Sequence, residues 1–111
     1  MSRVFVIEPP KQFFDMSSAE KFGKIIYVFD HEDRRCSAWE HVKFGQTVLK
    51  RLKDFDFDND KDFICVVGSM LTVSISIIAI AQHYSVFNAL LFHSVDDSYV
   101  SKQFNLLDWT R

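Results

Sequence analysis

An uncharged stretch at residues 63–81 constrains the fold of this chain more than any other feature of its sequence. The stretch reads FICVVGSMLTVSISIIAIA; it opens with β-branched and aromatic residues, and Gly68-Ser69 interrupts it. Its length just reaches the ~18–20 residues that a membrane-spanning helix needs, so a membrane span is one interpretation. The flanks carry no cluster of Lys or Arg that would orient a span, and a buried strand followed by a buried helix explains the break better.

The composition of the chain is that of a packed globular protein. Of its 111 residues, 48% are apolar, 12 are Phe, and only 3 are Gly and 2 are Pro. Such a chain buries enough apolar surface to offset its ordering entropy, and its length suits one hydrophobic core. We therefore expect residues 1–111 to form a single α/β domain. The formal net charge of −2 gives no reason to expect nucleic acid or an anionic membrane as a partner.

The cysteine content and the first residues bear on the compartment. Cys36 and Cys65 are too few for the disulfide framework of a small secreted protein. The opening sequence MSRVFVIEPPKQFF contains no apolar run as long as that of a signal peptide. The sequence therefore predicts a cytoplasmic protein.

Hydrophobic patterns predict five strands and two helices. Strands are expected at residues 3–8, 24–29, 63–67, 86–93 and 99–104. The run KIIYVF at 24–29 is nearly continuous in apolar residues, which is typical of a central strand that is covered on both faces. The first helix is amphipathic, and its apolar residues at helical spacing are Trp39, Val42, Val48, Leu49 and Leu52.

The second helix, residues 70–84, is apolar on nearly all sides and is expected to be largely buried. The element order places two strand–helix–strand units in the middle of the chain, and such units are right-handed in about 98% of cases. The predicted fold is a small mixed α/β sheet with a parallel β-α-β-α-β centre, an N-terminal strand and a C-terminal hairpin. Its core is expected to include Ile64, Val66, Ile75, Ile78 and Ile80.

An acidic run separates the first helix from the third strand. Its aspartates, Asp54, Asp56, Asp58 and Asp60, have the spacing of positions 1, 3, 5 and 7 of an EF-hand loop. Position 6 should be Gly and is Asn59, and position 12 should be Glu and is Cys65. The run is therefore predicted to be a solvated turn in which Phe55 and Phe57 are anchored in the core.

Catalytic and metal-binding patterns are weak in this sequence. The histidines, His31, His41, His83 and His93, show no paired metal-ligand spacing. Cys36 and His41 are five residues apart, which does not place a nucleophile and its base on one helix face. No trio of nucleophile, base and orienting group is indicated. We predict no catalytic residue, metal or cofactor, and the sequence leans against an enzyme.

The Gly68-Ser69 turn is the candidate ligand site. It follows a buried strand and opens a helix, whose first amides and dipole attract anions, and Thr72 adds a hydroxyl. In an open parallel sheet, ligands bind beyond the carboxyl ends of the strands. Arg34 and Arg35 of the loop at residues 30–35, and His93, are expected at that edge. A Gly-Ser turn that only caps a helix remains the alternative.

The layout of the chain resembles a group of small, uncharacterised α/β proteins encoded by tailed bacteriophages. The segments that carry the resemblance are IIYVFDHEDRRCSAWE, DFDNDKDFICVVGS and FNALLFHSVDDSYVSKQF, within residues 24–104. Many such proteins have Gly-Asp where this chain has Gly68-Ser69, so no acidic site is carried over. The resemblance implies a viral accessory protein that acts in the bacterial host cytoplasm.

Two classes of function follow as hypotheses. The first is a non-enzymatic phage protein that binds a host or viral protein, of the host-takeover or anti-defence type, or that self-associates through an outer strand at residues 99–104. The second is a small-ligand or nucleotide/phosphate-binding protein that uses the strand-to-helix turn at Gly68-Ser69.

Overall fold

A computed structural model of the chain describes residues 2–9, 16–29, 39–93, 95–96 and 98–109, with the side chain of Trp109 left out. Within these residues the chain forms five strands, two α-helices and two short 3₁₀ helices. In chain order they are β1 (Arg3–Val6), a 3₁₀ helix (Ala19–Phe22), β2 (Lys24–Tyr27), α1 (His41–Asp54), β3 (Phe63–Val66), α2 (Met70–Tyr84), β4 (Val86–His93), β5 (Ser98–Asn105) and a 3₁₀ helix (Leu106–Trp109).

The strands form one mixed sheet in the order β2-β1-β3-β4-β5. The first four strands in that order are parallel, and β5 runs antiparallel to β4 as the second strand of a hairpin. In register, Phe5 of β1 lies between Ile26 of β2 and Ile64 of β3. This arrangement confirms the predicted small mixed α/β sheet with its C-terminal hairpin.

The strand predicted to be central is at the edge of the sheet. Strand β2 pairs only with β1 among the described strands, and its residues are exposed or partly buried. Val28 and Phe29 are buried, but they lie just beyond the strand, where their amides donate to the carbonyls of Val6 and Ile7. The apolar run KIIYVF therefore combines an edge strand with a buried extension. Strand β1 has strands on both sides instead.

The two faces of the sheet carry separate hydrophobic clusters. On one face, Phe5 and Ile7 belong to a cluster with Val48 of α1 and Ile80 of α2. On the other face, Val4, Val6, Cys65 and Leu90 belong to a cluster with Met16 and Ala19. Right-handed crossovers explain this division, because β2-to-β3 and β3-to-β4 move along the sheet in one direction and β1-to-β2 moves in the other. Helices α1 and α2 consequently share a face.

Helix α2 is less buried than its sequence predicts. Its fully buried residues are Thr72, Ser76 and Ile80, which are four residues apart and form one narrow stripe. Ile78 was predicted to be in the core and is 67% exposed. One sheet and one neighbouring helix cover only part of the circumference of an apolar helix, so some of its apolar side chains reach solvent. Of the described helices, none is long and apolar enough to cross a membrane.

Of the other residues predicted to be buried, some are buried and some are exposed or partly buried. Ile64 and Ile80 are fully buried, as predicted, whereas Val66 and Ile75 are only partly buried at the margin of the cluster. In α1, Val48 and Leu52 are buried and Leu49 is partly buried, but Trp39 and Val42 are exposed, contrary to their predicted place on the apolar side. Phe44 and Gly45 are buried instead. The apolar residues at the start of this helix therefore face away from the sheet.

The acidic run between α1 and β3 folds as a turn, as predicted. Asp58 Oδ1 accepts the amide of Asp60 at 2.9 Å, and the carboxylate of Asp62 accepts the amide of Asp58 at 2.8 Å. Phe57 is buried and packs edge-on against Phe5. Phe55 is partly exposed, so only one of the two phenylalanines is anchored in the core.

Candidate functional site

The predicted ligand site lies where the order in which the chain adds strands to the sheet changes direction. The chain moves from β1 to β2 on one side and places β3 on the other, so the carboxyl ends of β1 and β3 form the topological switch point. Gly68 follows β3 at this edge, and the β3–β4 register places His93 at its level in the neighbouring strand. Arg34 and Arg35 lie outside the described residues, as does the whole loop at 30–35.

Ser69 and Thr72 form hydrogen bonds with each other at the start of α2. Ser69 is the N-cap residue; its Oγ accepts the Thr72 amide at 3.2 Å and donates to Thr72 Oγ1 at 2.9 Å. A methyl group placed on Gly68 would lie 3.5 Å from Glu8 Oε1, so a carboxylate of the chain lies near this turn. A negative charge in this position opposes the binding of a second anion. The geometry is that of a capped helix, and anion binding stays a prediction.

Gly68 also has a backbone conformation that limits how the site can be tested. Its φ is +140°, a value that residues with side chains rarely adopt. A Gly68→Val variant would therefore strain the backbone as well as fill the turn, and a loss of binding would not separate the two effects.

His93 is engaged in the connection between β4 and β5. Its Nδ1 lies 2.8 Å from Asp96 Oδ1, and the Ser98 hydroxyl donates to the same oxygen at 2.9 Å. The hydrogen bonds from His93 and Ser98 lower the pKa of Asp96 below its ordinary value. These contacts link the two strands at the turn end of the hairpin. Within the described residues, no group of three or more His, Cys, Asp or Glu is placed to hold a metal ion.

A groove between α1 and α2 is the second candidate site, on the side of the helices away from the sheet. It has a volume of about 300 Å³. Its apolar lining consists of Val42, Gly45 and Leu49 from α1 and Ile75, Ile78 and Ala79 from α2. The groove therefore runs along two turns of each helix.

Small residues create the floor of this groove. A methyl group placed on Gly45 would lie 3.3 Å from the Cβ of Ala79 and 3.8 Å from Ile75 Cγ2, so the helices approach closely here. Larger side chains rise at the margins, where Val42 is 61% exposed. The polar lining residues are His41, Gln46 and Gln82, and none of the lining residues is Asp, Glu, Lys or Arg.

Two further apolar residues are exposed at the start of the helices. Trp39, which precedes α1, is 82% exposed, and Met70, the first residue of α2, is 85% exposed. Both helices follow parallel strands, so their first residues lie toward the edge formed by the carboxyl ends of those strands. The helical spacing placed Trp39 and Val42 on the apolar side of the first helix, and their exposure was not predicted. A usable signal was present, because a helix that is apolar all round cannot bury every face against a single sheet.

Comparison with known proteins identifies a match that covers nearly the whole chain. Residues 2–106 match the family model described as Phage Pam3 gp32-like protein. Neither the curated proteins nor the solved structures include a match to the chain. The family match confirms the resemblance to small phage proteins that the sequence indicated.

Proposed function

Because the chain belongs to the Phage Pam3 gp32-like protein family, we propose that it is a non-enzymatic phage accessory protein that binds a host or viral protein. Its action would be of the host-takeover or anti-defence type, in the cytoplasm of the bacterial host. The observation that carries the proposal is the apolar groove between α1 and α2, which no other described part of the chain covers.

The physical argument concerns apolar side chains of the groove that stay exposed. Val42 and Ile78 line the groove and stay largely in water, although each would release free energy on burial. Scattered apolar residues are ordinary on protein surfaces, but a group that borders a groove is typical of a protein-binding site. The mixture of an apolar centre with a polar rim of His41, Gln46 and Gln82 fits such an interface.

A comparative capture experiment tests this proposal. The wild-type protein, Ile78→Asp and the control Val95→Asp are immobilised, and each is incubated with lysate from phage-infected host cells. Val95 is 87% exposed and does not line the groove, so it matches Ile78 in chemistry but not in place. We expect at least one protein to be retained by the wild type and by Val95→Asp and to be lost with Ile78→Asp.

The protein identified in this way is then purified and titrated against the three forms by calorimetry. Truncation of a central interface residue typically weakens binding by about 2 kcal/mol or more, which corresponds to about 30-fold in Kd. Identical sets of retained proteins for all three forms would contradict the proposal.

The position of β5 at an edge of the sheet favours a second possibility, self-association through the outer strand. Strand β5 spans Ser98–Asn105, and no described strand pairs with its outer side, so a strand of a second copy can add there. Light scattering on the wild type and on Ser101→Pro tests it, because proline removes a backbone donor. Ser101→Gly serves as the control. A wild-type monomer at high protein concentration would contradict self-association.

A further inference from the structure

We infer that the groove between α1 and α2 takes a single amphipathic helix of a partner protein, with an acidic flank on the α1 side. The inference rests on the proposed function and specifies the chemistry of the partner at that site. Three observations carry it, namely the length of the groove, the one-sided positive charge of its margins and the absence of acidic residues along the two helices, between Glu40 and Asp54 and in α2.

The dimensions of the groove fit the ridge of one helix. On α1 its apolar lining extends from Val42 to Leu49, and on α2 its lining extends from Ile75 to Gln82, which is a rise of seven residues on each helix. At 1.5 Å per residue this is a length of about 10 Å, the distance spanned by side chains at i, i+3 or i+4, and i+7 of an inserted helix. The backbone floor at Gly45 and Ala79 leaves room for the middle side chain of such a ridge.

The margins of the groove differ sharply in charge. On α1, Lys43, Lys50 and Lys53 are exposed, and their spacing places them in the same row as Gln46, which lines the groove. The opposite margin, α2, carries no Asp, Glu, Lys or Arg at all. A helix in the groove therefore meets positive charge on one flank and none on the other. Glutamate or aspartate on the α1 flank complements this pattern.

The remaining basic residue of α1 does not contribute to this margin. The guanidinium of Arg51 lies 4.4 Å from the ring centroid of Phe29, and its Nη1 donates to the carbonyl of Val28 at 3.0 Å. Arg51 thus points toward the end of β2. The positive margin consists of the three lysines.

A second copy of the chain that packs groove against groove does not offer the required charge. The acidic residues next to or within α1 are Glu40 and Asp54, which lie at its two ends, and α2 has none. Two copies that pack groove against groove would bring the lysine rows together with no acidic side chain between them. Such an arrangement leaves the positive charge unpaired, whereas an acidic partner helix pairs it.

Synthetic helical peptides test the inference directly. One peptide of about 18 residues carries leucines at i, i+3, i+7 and i+10 and glutamates on one flank, and its partner peptide has glutamine at every glutamate position. Fluorescence anisotropy measures the affinity of both for the wild type, for Ile78→Asp, and for a triple variant with Lys43, Lys50 and Lys53 changed to Gln. All four positions are exposed, and circular dichroism checks that the variants fold.

We expect the glutamate peptide to bind the wild type about 10-fold more tightly than the glutamine peptide. The triple lysine variant should remove this preference and leave the affinity for the glutamine peptide unchanged. Raising NaCl from roughly 50 mM to roughly 500 mM should weaken only the glutamate peptide. Ile78→Asp should weaken both peptides, because it places a charge in the apolar groove.

Equal affinity for the two peptides would overturn the inference of an acidic partner helix. A wild-type dimer that Ile78→Asp dissociates would overturn it in favour of a second copy. If Ile78→Asp abolishes capture of a partner protein and neither peptide binds, the proposed function stands and the partner is not an acidic helix. If capture does not depend on Ile78, the proposed function itself fails.

Discussion

At the scale of single residues, Asp62 organises the join between the first strand and the loop that precedes β3. Its carboxylate is almost fully buried and accepts three hydrogen bonds at 2.8–2.9 Å, from the amides of Arg3 and Asp58 and from Arg3 Nη2. Arg3 Nε also donates to Asp62 Oδ1, at 3.4 Å, and Nη1 and Nη2 donate to the carbonyls of Phe55 and Asp56. The Arg3–Asp62 ion pair therefore satisfies backbone groups both at the start of β1 and in the loop at residues 55–58.

We expect Asp62→Ala to lower the free energy of unfolding by about 2–4 kcal/mol, because it leaves buried donors without an acceptor. Chemical denaturation measures the change. Asp60→Ala is the matched control; it removes an exposed aspartate of the same turn and should change stability by less than about 0.5 kcal/mol. Equal effects of the two substitutions would show that the Asp62 contacts contribute little.

Cys65 is a buried thiol whose reactivity depends on unfolding. Burial raises its pKa to about 12, although a hydrogen bond with Tyr99 acts in the opposite direction. At pH 8 only about one thiol in ten thousand would be ionised, and the thiolate is the reactive form. In a Cys36→Ser background we expect Ellman's reagent to label Cys65 only as fast as the protein unfolds. Complete labelling within seconds in native buffer would contradict this expectation.

At the scale of elements, α2 buries the stripe formed by Thr72, Ser76 and Ile80 and leaves other apolar side chains exposed to solvent. Ile80 is fully buried, whereas Ile78, two residues earlier, is mostly exposed. We expect Ile80→Ala to cost about 2–5 kcal/mol of stability, because it opens a cavity in the core. Ile78→Ala should change stability by less than about 0.5 kcal/mol. Thermal and chemical denaturation of the pair test the assignment, and a larger loss for Ile78→Ala would reverse it.

The sequence predicts the type and order of the elements well, because these depend on local patterns. Alternation, apolar runs and turn residues all act over a few positions, so the strand Val86–His93 and the helix Met70–Tyr84 have the predicted bounds. Which face of α2 meets the sheet is a tertiary property. A helix with apolar residues all round gives no periodic signal for that choice, and the prediction for Ile78 was wrong for this reason.

The candidate sites differ in how far the sequence could predict them. Gly68 and Ser69 were recognisable from the chain because a turn between a strand and a helix has local signals, and His93 lies at the same edge of the sheet. The groove depends on two helices that are distant in sequence and on the close approach of Gly45 to Ala79. No pattern within either helix specifies that contact.

At the scale of the whole molecule, strand order decides which segments are protected from solvent. Strands β1 and β3 each have a neighbour on both sides, whereas β2 and β5 lie at the edges of the sheet. We expect the backbone amides of β1 and β3 to exchange with deuterium most slowly, and those of β2 and β5 to exchange faster by about tenfold or more. NMR-detected exchange measures this. Slow exchange throughout residues 24–27 would instead support the central position that the apolar run suggests.

The position of β1 also has a consequence for synthesis on the ribosome. Strand β1, an interior strand of the sheet, is the first of the described strands to be made, and its contacts with β3 and Asp62 need residues that follow much later in the chain. About 36 residues separate the end of β2 from the start of β3, which corresponds to roughly 2–7 s of translation at ~5–20 residues per second. During that interval Val4 and Val6 lack their β3 neighbour. The nascent chain therefore passes through a stage in which its most buried strand has an open edge, available to chaperones or to a neighbouring nascent chain.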